Sequence, residues 1–172
     1  MKIKNNLFLV SLCIAIALVF ALIDYSSTPR VFVANKTIVK YSGILFSYEV
    51  TRYPVVFEIV PLDLNRSEIV LGLGNEPGRL NFGIIPTGGH YATRHLVISN
   101  SENNKIHVIF KVYGKIKPMV NISTQNFILL PGQSKTVDIH VKTSPETLPG
   151  NYTGEIDITV KKPNFDFLNF FM

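Results

Sequence analysis

Tryptophan is absent from this 172-residue chain, cysteine occurs once, and Asp and Glu together number only 12. Each scarcity excludes something. With Cys13 alone no intramolecular disulfide can form, so burial and hydrogen bonding must hold the fold. Cys13 also follows bulky Leu12 inside an apolar run, the wrong setting for a lipid-modified cysteine. Without tryptophan, a sugar-stacking platform would have to come from Tyr41, Tyr48, Tyr53, Tyr91 and Tyr113. The few acids lie mostly in turns and no G-x-S-x-G elbow occurs, so no enzyme is expected and no catalytic residue is assigned. The 17 basic residues leave a net charge of +5, but Arg52, Arg66, Arg79, Arg94, Lys105, Lys111, Lys115 and Lys117 are scattered. That is a solvated surface and not a nucleic-acid face. Gly83-x-x-x-x-Gly88-Gly89 lacks the Lys-Ser/Thr and the helix of a phosphate loop, so no nucleotide or other cofactor is expected. His90, His95, His107 and His140 fall at turn or outward strand positions, so no metal site is expected.

One long apolar run is present. Lys2 and Lys4 lead into residues 7–23, broken only by Ser11 and Cys13, and Asp24 follows. As a helix the run is about 26 Å long, close to a hydrocarbon core of about 30 Å. Val19-Phe20-Ala21 offers a signal-peptidase site, but Leu22 and Ile23 continue the run past it. The expectation is a retained single-pass signal-anchor over residues 1–25, with the cleaved signal peptide as the alternative. The lysines place the N-terminus in the cytoplasm and the remainder outside the cell membrane.

Beyond the anchor the chain reads as strands and turns. Val31-Phe32-Val33, Thr37-Ile38-Val39, Ile44-Leu45-Phe46 and residues 55–60 are β-branched and aromatic runs. Further on, Ile106, Val108, Phe110 and Val112 alternate with other residues. Val137, Ile139 and Val141 do the same, as do Ile156, Ile158 and Val160, which interleave with Asp157 and Thr159. Period two means one face buried and one wet. Turn residues recur about every ten positions, and no stretch after residue 25 keeps a helical period. The expected fold is all-β, an antiparallel sandwich behind one N-terminal transmembrane helix.

Leu80-Asn81-Phe82-Gly83, Pro86-Thr87-Gly88, Arg94 and Ile98-Ser99-Asn100 form the first half of a recognisable pattern. The second is Leu130-Pro131-Gly132 before an alternating strand, then Pro149-Gly150-Asn151-Tyr152-Thr153-Gly154. Together they resemble immunoglobulin-like sandwich modules of the ASPM/SPD-2/Hydin type and, more closely, their relatives in archaeal and bacterial surface proteins. The resemblance spans residues 80–163 and implies an immunoglobulin-like fold on an archaeal or related prokaryotic surface. It implies spacer, adhesive or docking roles. Residues 26–79 fall outside it and are read as extra strands or a small β layer; residues 164–172 form an aromatic tail. Gly83 and Gly88 are expected to take backbone conformations closed to other residues. Pro131-Gly132 and Pro149-Gly150 fit type II turns. Tyr152 is expected to put its ring in the core and its hydroxyl on nearby backbone.

Four sequons, at Asn35, Asn65, Asn121 and Asn151, are about twice the number expected by chance from this composition, and suit an exported glycoprotein. Phe165, Phe167, Phe170 and Phe171 make the tail a candidate partner contact, either folded back on the sandwich or held out for a groove or membrane surface. The resulting expectation is a non-enzymatic structural or interaction module of the cell envelope, partnered by another envelope or surface-layer protein. The alternatives are a stator-like accessory subunit of an appendage or secretion machine, and a carbohydrate-binding surface domain.

Overall fold

Two long antiparallel strands form the spine, β2 (Phe46–Val60) and β9 (Gly150–Pro163), in register from Phe46↔Pro163 to Ile59↔Gly150. The computed structural model describes residues 30–62, 78–165 and 167–168; the apolar run of residues 7–23, Asn65, Phe170 and Phe171 lie outside these. Among the described residues no helix is long and apolar enough to cross a membrane. Phe32–Met172 fall in one compact unit, and its described part is all-β.

The far side of β9 carries β5 (Ile106–Gly114), and β5 in turn carries the short β7 (Asn126–Leu129). The far side of β2 is shared by two strands. Antiparallel β1 (Thr37–Ser42) pairs with its first half, and parallel β3 (Leu80–Pro86) with its second. The change of neighbour comes between Arg52 and Val55, where Pro54 sits. A proline has no N–H to give a ladder, and this is a place where the edge asks for none. β3 takes one extra residue against β2 between Val56 and Glu58. Gly83, with φ of 71°, supplies that bulge, and its N–H donates to Asn81 Oδ1 at 2.8 Å. The second sheet is antiparallel, with β8 (Ser134–Lys142) between β4 (Tyr91–Ser99) and β6 (Val120–Ile122).

The core lies between the sheets. Val55, Phe57 and Ile59 of β2, Val108 and Phe110 of β5, and Ile156 and Ile158 of β9 meet Val137, Ile139 and Val141 of β8. Phe82 of β3 packs edge-on to Phe57, with centroids 6.4 Å apart. The period-two reading therefore holds for β5 and β8. It fails on β9: Asp157, expected wet, is buried, and Glu155 beside it is fully buried. The cover comes from residues 32–36, which run over this face without forming a strand. Val33 N–H donates to Glu155 Oε2 at 2.9 Å, and Arg79 Nε donates to the Ala34 carbonyl. Val31-Phe32-Val33 is thus a strap and not the strand its composition suggests, and Ile44-Leu45 is the turn between β1 and β2 and not a strand core.

Candidate docking surface

β1 is an edge strand with all six side chains exposed, among them Ile38, Val39 and Tyr41. Its inner side pairs with β2; among the described residues no strand pairs with its outer side. Charge is little used to blunt this edge, since Lys40 is already paired with Glu49 on β2 at 2.9 Å. An exposed, extended, apolar edge presents unpaired backbone donors and acceptors that another strand can take up.

At one end of β1 the chain turns through Gly43, Ile44 and Leu45, and Ile44 is 87% exposed. The tail that leaves β9 is tied to this turn. Asn164 Nδ2 donates to the carbonyls of Gly43 and Ile44 at 2.7 and 3.1 Å, and its N–H donates to Leu45 O at 2.9 Å. Leu168 is buried, and its N–H donates to Phe165 O. Between these two pins, Phe165 and Phe167 stay exposed, with rings stacked at 5.8 Å. Of the tail residues described, only Leu168 is buried. Behind the tip, Tyr41 and Tyr48 stack at 5.0 Å, and Lys161 Nζ lies 3.6 Å from the centre of the Phe46 ring.

The remaining expected residues fall elsewhere. Asn35, Asn121 and Asn151 are exposed, while Asn65 lies outside the described residues. Pro131 and Gly132 form a type II turn: Gly132 has φ of 75° and Gln133 N–H donates to Leu130 O at 3.0 Å. Gly88, with φ of 94°, lies in the turn between β3 and β4. Pro149-Gly150 is different, because Gly150 has φ of 145° and already pairs with Ile59 as the first residue of β9. Tyr152 stacks on Phe57 at 5.5 Å, and its hydroxyl donates to Leu148 O at 2.8 Å. The histidines do not converge: His95 meets Asp138, His140 meets Thr93, His107 meets Asn126 and His90 meets the Thr87 carbonyl. Among the described residues no group of three metal-ligating side chains exists. Of the five tyrosines weighed for sugar stacking, the structure shows one stacked pair, Tyr41 with Tyr48.

Two polar centres are buried. Glu155 accepts from Arg52 Nε at 2.8 Å and Nη2 at 3.0 Å, inside the covered face of β9. Buried Asn100 donates to the carbonyls of Asn104 and Leu129 and accepts from Glu102 N–H, fixing the turn from β4 to β5. The first joins segments far apart in sequence; the second is local apart from its bond to Leu129. No protein-family model matches the chain, and no curated protein or solved structure matches it.

Proposed function

We propose that this chain is a membrane-anchored, extracellular immunoglobulin-like module that acts without catalysis, docking to another protein of the cell envelope. The observation that carries the reading is the β1 edge, whose outer side pairs with no strand among the described residues. It offers six exposed residues of extended backbone at the margin of a sheet stiffened by the β2–β9 ladder. A partner strand added there gains backbone hydrogen bonds along its length, and the side chains of Ile38 and Val39 give it apolar contacts. Support for the immunoglobulin-like assignment comes from chain order. From β3 to β9, successive strands alternate between the two sheets.

The test uses tagged full-length protein extracted gently from native membranes. A partner is expected to co-purify in constant ratio with the wild type. Ile38→Lys with Val39→Lys should reduce that partner at least about tenfold, while unfolding stays within about 0.5 kcal/mol because both side chains are exposed. Equal partner recovery from the variant would remove β1 as the docking edge. A partner from an appendage would make the chain its stator-like accessory; a surface-layer partner would make it an envelope module.

Export also predicts modification. Asn121 and Asn151 are exposed near one end of the sandwich, away from the tip formed by Ile44 and Phe165. We expect the intact mass of native protein to exceed that of the polypeptide by at least one glycan, with the excess lost in Asn121→Gln, Asn151→Gln or both. A bare mass sinks this expectation.

A further inference from the structure

We infer that the tip built from the β1–β2 turn and the tail is a lipid-inserting end, which enters the interfacial region of a bilayer. Ile44 and Leu45 stand on the turn, and Phe165 and Phe167 stand beside them, all exposed. A residue 87% exposed at a turn, as Ile44 is, lines no groove; it projects. The side chains are also ordered by distance from the tip. Tyr41 and Lys161 stand on β1 and β9 behind the tip, three residues along the chain from Ile44 and Asn164. Apolar groups outermost, then tyrosine and lysine, is the order of a bilayer from acyl chains to headgroups.

Charge agrees in sign where it is free to act. Lys161 leans over the Phe46 ring, and its ammonium can reach a phosphate from there. Lys40 and Lys162 stand nearby but are held by Glu49 and Glu102 at 2.9 and 2.6 Å. Asp166 stands between the two phenylalanines in sequence and opposes an anionic surface. Apolar insertion therefore leads, and headgroup charge modulates it.

This inference does not depend on the β1 edge or on any protein partner. The chain has no tryptophan, so one substitution makes a unique reporter. Full-length Ile44→Trp protein is placed in phosphatidylcholine vesicles, with and without phosphatidylglycerol, whose acyl chains carry bromine. Leu148→Trp is the control; Leu148 is 74% exposed and just precedes the opposite end of β9. The Ile44→Trp emission should shift to the blue and fall by about half, while the Leu148→Trp emission stays unchanged. Adding Phe165→Ser and Phe167→Ser to the Ile44→Trp chain should remove most of that quenching. Stronger quenching with phosphatidylglycerol supports the role given to Lys161. An Ile44→Trp signal that is unquenched and as open to iodide as the Leu148→Trp control overturns the inference. Shielding from iodide without bromine quenching, rising with protein-to-lipid ratio, also overturns it, because a second copy then covers the tip.

Discussion

Arg52→Met is expected to lower the unfolding free energy by about 3–5 kcal/mol, the cost of taking a charged partner from a buried carboxylate. Glu155 is fully buried, and the Arg52 guanidinium, 23% exposed, closes on both its oxygens. Val33 N–H also donates to Glu155, a contact the arginine cannot replace. Losing the guanidinium removes two donors to Glu155 and the positive charge beside it. The double variant Arg52→Met/Glu155→Leu should recover most of the loss, since it removes both the charge and its need. Guanidinium denaturation of the three proteins measures this. A loss under about 1 kcal/mol for Arg52→Met would show that water reaches Glu155. In the single variant, amides of residues 32–36 should also exchange faster, because Glu155 holds the strap as well as the arginine.

Gly154→Ala should cost about 3 kcal/mol, at the upper end for overpacking. The backbone of Gly154 is not left-handed, so alanine is conformationally acceptable and the effect is one of space. An added Cβ would stand 2.5 Å from the Tyr113 carbonyl oxygen and 2.7 Å from Ile116 Cδ1. Ile116 is fully buried and lies across the Gly114↔Gly154 pair of β5 and β9. A side chain can rotate away, but the carbonyl belongs to β5 and moves only with the ladder. Gly132→Ala is the comparison. There φ is 75° with nothing within 4 Å, so the cost should be about 1 kcal/mol and purely conformational. Melting curves that show equal losses at the two positions would refute the close approach at Gly154.

These two sites mark where sequence reasoning stops. The alternation of Val137, Ile139 and Val141 announces β8, because a sheet with one wet face writes its own pattern. β9 looked the same and is not, since its second face is covered by residues more than a hundred positions earlier in the chain. Nothing near Asp157 signals that cover. β2 was visible from Val55, where the apolar run begins, but its first half mixes Ser47, Glu49, Thr51 and Arg52. That half is held by partners on both sides and needs no apolar pattern of its own. The docking surface was half legible. The odd aromatic tail stood out, yet its juxtaposition with Ile44 rests on Asn164 reaching back to Gly43. An apolar turn reads as a strand until the partner that holds it is known.

The placing of β9 between β2 and β5 governs the order in which this protein can be completed. Val55 pairs with Gly154, 99 positions later (154 − 55), and β9 also closes the open side of β5. A strand made early therefore waits for the strand made last. Until residues 150–163 have emerged, β2 and β5 each show a bare edge, and the sandwich core has no wall between them. Such long-range closure slows folding and leaves the waiting chain open to wrong strand partners. A ribosome or translocon that releases the chain early would deliver two unmatched sheet margins, and a chaperone that shields β2 would act in that interval.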